Sequence, residues 1–153
     1  MKLRSKEEIK EYFNIEWILE KAESSLKQKP VHITDVIAPM SEGGPNDYYS
    51  NGDYWWPNPK TPDGLPYINR DGQSNPDNFN VHRMFLRKMR TNVSNLAAGY
   101  LITKNEKFAE QAVTFLKEFF LDEETRMTRI FFMLKPFLGD AQDVALVLLI
   151  HCI

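Results

Sequence analysis

The stretch from Ser50 to Pro76 holds residue types suited to recognising a sugar. Trp55 and Trp56 are adjacent, with Asp53-Tyr54 before them and Pro57 after. Neighbouring side chains of an extended segment point to opposite faces, so at least one of the two indoles is expected to face outward. An exposed ring takes the apolar C–H face of a pyranose, while nearby carboxylates and amides take its hydroxyls. The competing reading is that both tryptophans anchor a long loop, and the residues alone leave both open. Arg70-Asp71-Gly72 follows. Here glycine permits a tight turn and arginine offers a fork for a carboxylate, against the plainer reading of an ion pair that steadies the turn.

A second group lies just downstream. Arg83, Arg87 and Arg90 share one face at i, i+4, i+7 spacing, with Lys88 beside them and His82 at the loop-to-helix junction. Between Asp77 and Lys104 there are five Lys/Arg against one acid. A cationic face beside an aromatic loop fits a polyanion, and an acidic polysaccharide satisfies both features. The net charge of −2 weighs against nucleic acid. The alternative is a solvated helix face with a lone histidine capping a turn. No H-E-x-x-H, EF-hand loop, glycine-rich phosphate loop or G-x-S-x-G is present, and three scattered histidines make no ligand set. Neither metal nor cofactor is expected.

These residues need elements to position them. Eight of the nine prolines and five of the seven glycines fall between Pro30 and Pro76, so that stretch is not regular helix. Its rings (Tyr48, Tyr49, Tyr54, Trp55, Trp56, Tyr67, Phe79) set it apart from a flexible linker and mark it as functional or as core wrapping. Helical spacing of Ile15, Ile18, Leu19, Ala22 and Leu26 predicts a helix over 5–28, with Ser5 as N-cap and Pro30 as its stop. A second helix is predicted over about 78–102, with Val81, Phe85, Met89, Val93, Leu96 and Tyr100 inward. A third is predicted over about 106–121, with Phe108, Ala112, Phe115, Leu116 and Phe119 inward. The link at Thr103-Lys104-Asn105 is short enough to force the last two antiparallel.

Composition bounds the rest. At 153 residues, 42% hydrophobic and 26% charged, the chain has the make-up of a globular domain rather than a disordered or collagen-like one. A single cysteine, Cys152, forms no intramolecular disulfide and no cysteine-based zinc site. The apolar run Val144 to Ile150 is far too short to cross a bilayer, so no membrane association is expected. No apolar stretch follows the basic start MKLRSKEEIKEYF, so no signal peptide is legible; either the protein stays in the cytoplasm or its real start lies upstream.

Three quoted stretches carry a resemblance: Ser50-Asn51-Gly52-Asp53-Tyr54-Trp55-Trp56-Pro57-Asn58-Pro59, Pro66-Tyr67-Ile68-Asn69-Arg70-Asp71-Gly72 and His82-Arg83-Met84. Together they resemble the N-terminal signature of the alginate lyase domain family of polysaccharide lyases. Leu96-Ala97-Ala98-Gly99-Tyr100, Thr103-Lys104-Asn105-Glu106-Lys107-Phe108 and Asp122-Glu123-Glu124-Thr125-Arg126-Met127 continue the match, over about residues 10–127. The resemblance implies an all-α fold, part of an (α/α) toroid of antiparallel helix pairs with a long aromatic Pro/Gly-rich loop. It also implies β-elimination on alginate or a related uronan, an acidic polysaccharide as partner, and a periplasmic or secreted location. Substrate contact is expected from Tyr54, Trp55, Trp56, Arg70, His82 and Arg83. The family's Asn-Asn-His motif and its catalytic Arg and Tyr lie farther along than this sequence reaches, so the chain is expected to be inactive alone. The alternative is a non-catalytic module that binds acidic glycans.

After Met127 the likeness stops. The chain reads TRIFFMLKPFLGDAQDVALVLLIHCI. With permissible codons and one adenine restored before Thr128, the same stretch reads NPNIFYAQAIPGRCTGRGIGIIDTLH, which resembles the family's continuation. The expected division is therefore 1–127 as the N-terminal part of a lyase-like domain and 128–153 as an aberrant tail, translated out of frame.

Overall fold

The computed structural model describes residues 13–41 and 43–128. Among the described residues three helices, α1 (Ile15–Leu26), α2 (Val81–Thr103) and α3 (Glu106–Phe120), make the fold all-α. A single 3-10 turn (Ile33–Asp35) and a two-stranded ribbon, β1 (Trp55–Trp56) with β2 (Ile68–Asn69), interrupt the long connection between α1 and α2. The expected Ser5 cap lies outside the described residues, and α1 does not continue back to it. Asn14 is extended (φ −73°, ψ 95°) and its side-chain oxygen accepts from the Trp17 N–H at 3.0 Å. Helix α1 therefore starts at Ile15, where an Asn cap satisfies one of the first free amides.

The α2–α3 hairpin follows the predicted spacing. Lys104 adopts a left-handed conformation (φ 57°) and its N–H returns to the Tyr100 carbonyl at 2.7 Å, closing α2. Asn105 caps α3 by accepting from the Lys107 N–H. Phe108, Ala112, Phe115 and Phe119 of α3 pack with Met89 and Leu96 of α2, Ala22 of α1 and Ile33 of the 3-10 turn. Each fully buried large side chain contributes about 1.5–3 kcal/mol. Leu116 departs from the expectation: it remains 39% exposed, beside Val113 and Phe120 on the outer side of α3. Gly99 sits where the three helices converge, and a Cβ there would lie 2.6 Å from that of Ala22 and 3.3 Å from the Phe108 ring.

Polar ties fix the loop to this frame. His32 reaches Glu118 of α3 through Nε2 (2.9 Å) and Asp35 through Nδ1 (3.4 Å). Past α3 the chain returns to the start of the aromatic loop. Asn46 donates to the Arg126 carbonyl (2.9 Å), the Thr128 N–H donates to the Asn46 carbonyl (2.8 Å), and the Thr128 hydroxyl donates to Asp47 (2.7 Å). The described fold thus runs one residue past the expected boundary at 127, and the remainder of the expected out-of-frame tail lies outside the described residues.

Candidate functional site: an aromatic and cationic face on the loop ribbon

The ribbon explains the paired tryptophans. Trp55 pairs with Asn69 and Trp56 with Ile68 in antiparallel register, and the Arg70 N–H extends the ladder to the Tyr54 carbonyl at 2.9 Å. Side chains directly opposite share a face, and alternate residues along a strand do too. Tyr54, Trp56, Ile68 and Arg70 therefore share one face, and Trp55 and Asn69 the other. Arg70 lies diagonal to Trp56, and its guanidinium stacks 4.8 Å above the indole. The indole N–H donates to the Gln73 carbonyl at 2.9 Å, fixing the ring. Gly72, at φ 70°, makes the turn that brings Gln73 there. Tyr54 is 42% exposed on the same face. Among the described residues Arg70 makes no ion pair, so the expected alternative of a turn-steadying ion pair is not what the arginine does; it stacks on Trp56.

Trp55 turns to the opposite side and lies over Gly52. A Cβ on Gly52 would meet its Cδ1 at 2.6 Å, so only glycine admits the ring. Two asparagines that the composition gave no reason to single out hold this segment. Asn78 donates to the carbonyls of Gly52 (2.7 Å) and Trp55 (3.0 Å), and Asn75 donates to Trp55 as well (3.1 Å). Their only sequence signal is the density of asparagine between Asn75 and Asn80.

The two residues expected at the start of α2 occupy different surroundings. His82 is buried (2% exposed), and both ring nitrogens meet backbone: Nδ1 accepts from the Tyr49 N–H (3.0 Å) and Nε2 donates to the Val36 carbonyl (2.8 Å). Those partners assign the proton to Nε2. Phe79 packs edge-on to the imidazole at 4.9 Å. Arg83 is half-buried and pairs with Asp53, the residue before Tyr54. That hydrogen bond, more than the charges of Arg83 and Arg87, holds the Asp53 carboxyl below the usual carboxylate range, against a smaller opposing effect of burial. Burial, helped by the neighbouring Tyr67 phenol, pushes the Tyr49 hydroxyl up, and its hydrogen bond with Asn51 opposes this.

Six expected site residues thus divide by position. Tyr54, Trp56 and Arg70 converge on one face; Trp55 faces away; His82 and Arg83 tie the loop to α2. A cleft of about 300 Å³ beside His82 is walled by Val36, Ala38, Gly44 and Asp47, and none of the ribbon residues line it. Among the described residues no three His, Cys, Asp or Glu side chains are placed to hold a metal ion, and no helix is long and apolar enough to cross a membrane.

Comparison with known proteins gives the family. The alginate lyase family model matches residues 33–131, which include the whole ribbon and the hairpin. The chain belongs to the alginate lyase family. A crystal structure of an alginate lyase from Bacteroides ovatus superposes with a TM-score of 0.63 at 41% identity, covering 74% of this chain. The alginate lyase family member described here spans 30% of the length of that solved chain. No curated protein matches it.

Proposed function

We propose that the Tyr54–Trp56–Arg70 face forms part of the substrate-facing wall of a lyase that cleaves alginate or a related uronan by β-elimination. The observation that carries this reading is the Arg70 guanidinium, stacked on Trp56 and free of any carboxylate partner among the described residues. A uronate supplies what that face lacks: a carboxylate for the arginine fork and an apolar sugar face for the rings. In β-elimination a base removes the C5 proton, and the electron pair forms the C4=C5 bond. The glycosidic oxygen then leaves with a proton from an acid, while the C6 carboxylate is neutralised. Tyr54, Trp56 and Arg70 would bind and orient the sugar. His82 and Arg83 would act through the loop they brace, without touching the substrate. The base and acid belong to a part of the family's fold that resemblance places farther along, so the 153-residue chain binds uronan with little or no turnover. A periplasmic or extracellular location accords with the family.

Incubating the full chain with alginate tests this, reading unsaturated uronate ends by ultraviolet absorbance and binding by calorimetry. Binding without unsaturated product is the expected result. Absence of binding would overturn the reading, and steady product would overturn the lack of turnover. A second reading, a non-catalytic acidic-glycan-binding module, draws on the same face; restored cleavage after adding the downstream part of an alginate lyase would decide against it.

A further inference from the structure

We propose that Arg87 and Arg90, on the exposed side of α2, read the acidic groups of a uronate chain that continues past the Tyr54–Trp56–Arg70 face. This rests on the function proposed above and extends it from a single sugar to a polymer.

The first three turns of α2 carry Arg83, Arg87, Lys88 and Arg90, and the whole helix holds no Asp or Glu. Local physics disfavours such an arrangement. Cations near a helix N-terminus oppose its dipole. Like charges at i, i+4 (Arg83 and Arg87) and at i, i+3 (Arg87 and Arg90) repel. Arg83 finds relief in Asp53. Arg87 and Arg90 are exposed, and among the described residues no carboxylate lies within ion-pair distance of either. Among the described residues nothing compensates the pair, and a broken local rule without structural gain is what a binding surface looks like.

Position links the pair to the ribbon. Asp53 opens the ribbon segment immediately before Tyr54, and the charge of Arg87 is felt at the Asp53 carboxyl. Arg83 pairs with Asp53 and Arg87 follows it on the same side of α2, so the uncompensated cations begin about one helical turn from the end of the ribbon segment. Farther along the same exposed side come Thr91, Ser94 and Ala97, short side chains that leave the surface open. Two guanidinium forks in succession suit carboxylates that recur along a linear polymer.

Affinity electrophoresis of the full chain through gels containing alginate, dextran or poly(dT), at several salt concentrations, tests the proposal. The samples are the natural protein, Trp56→Ala and the Arg87→Ala/Arg90→Ala double variant. The double variant is expected to bind alginate about tenfold more weakly. Its dependence of log affinity on log salt should flatten by about 1, and its melting temperature should equal or exceed that of the natural protein. The proposal is overturned if the double variant binds alginate undiminished, loses dextran binding equally, or melts lower, or if the natural protein prefers poly(dT) to alginate. Failure of the underlying function looks different: the natural protein itself is not retarded by alginate. Weakening by Trp56→Ala alone leaves the ribbon reading standing and removes only the arginine extension.

Discussion

Replacing His82 with alanine should weaken the fold by about 3–5 kcal/mol. The imidazole bridges two segments that are distant in sequence, accepting from the Tyr49 N–H at 3.0 Å and donating to the Val36 carbonyl at 2.8 Å. Alanine leaves the Tyr49 amide buried without a partner, at a cost of about 1–3 kcal/mol, and the partly buried Val36 carbonyl adds about 1 kcal/mol. The edge-on contact with Phe79, at 4.9 Å, is worth about 0.5–1.5 kcal/mol more. The expected loss is about 3–5 kcal/mol, a large part of the 5–15 kcal/mol typical of a domain. Urea unfolding monitored by far-ultraviolet circular dichroism and tryptophan fluorescence measures it. His82→Asn places an oxygen near Nδ1 and should recover the bond from Tyr49. His82→Gln places a nitrogen near Nε2 and should recover the bond to Val36. Each is expected to fall between alanine and histidine. A His82→Ala variant that loses less than about 1 kcal/mol would refute the reasoning, since the ring would then bridge nothing that matters.

Three further outcomes follow from particular contacts. Gly99→Ala should destabilise by about 1–2 kcal/mol in the same unfolding assay, because crowding of about 1–3 kcal/mol at Ala22 and Phe108 outweighs about 1 kcal/mol of helix propensity; Ala22→Gly in the same chain should recover part of the loss. The Asp53 carboxyl titrates lower in the folded than in the unfolded chain, so its contribution is present above about pH 4 and is lost as pH falls through the folded value. The group is half-exposed, so the effect stays below about 1 kcal/mol, and Asp53→Asn should flatten that acid arm of a stability–pH profile. Tyr49 titrates higher when folded, so stability should decline as pH rises above about 10, and Tyr49→Phe should remove that decline. For the tail, we propose a frame change: one adenine inserted in the coding DNA before codon 128 should make it spell Asn-Pro-Asn and the family-like continuation, and any other string refutes it.

Periodicity exposed the α2–α3 hairpin because its core contacts recur every turn: Met89, Leu96, Phe108, Phe115 and Phe119 repeat at helical spacing and are buried. It carried the first helix through Phe13 and Asn14, which are not helical; Asn14 instead caps Ile15–Leu26, a break that local backbone geometry decides. The ribbon was invisible for a different reason. Two residues per strand carry no period, and its partners Trp56 and Ile68 are brought together by the turn at Gly64 rather than by hydrophobic pattern. Residue types singled out Tyr54, Trp56 and Arg70, and the diagonal stacking of Arg70 on Trp56 needed the strand register. His82 and Arg83 carried no sequence sign of their partners, which lie 30 or more residues away at Asp53, Tyr49 and Val36.

The bonds that tie Asn46 to Arg126 and Thr128 bear on topology. They bring the start of the aromatic loop and the exit from the hairpin side by side, so the segment between them forms a ring closed by hydrogen bonds instead of sulfur. A ring has no fixed beginning. Joining positions 46 and 128 through a short peptide and opening the chain at the exposed 60–63 turn should therefore reorder the sequence without changing which residues meet, provided α1 is supplied to cover Gly99. Thr128, the last described residue, lies beside the root of the aromatic loop, so one asparagine ties the start of that loop to the exit from the hairpin.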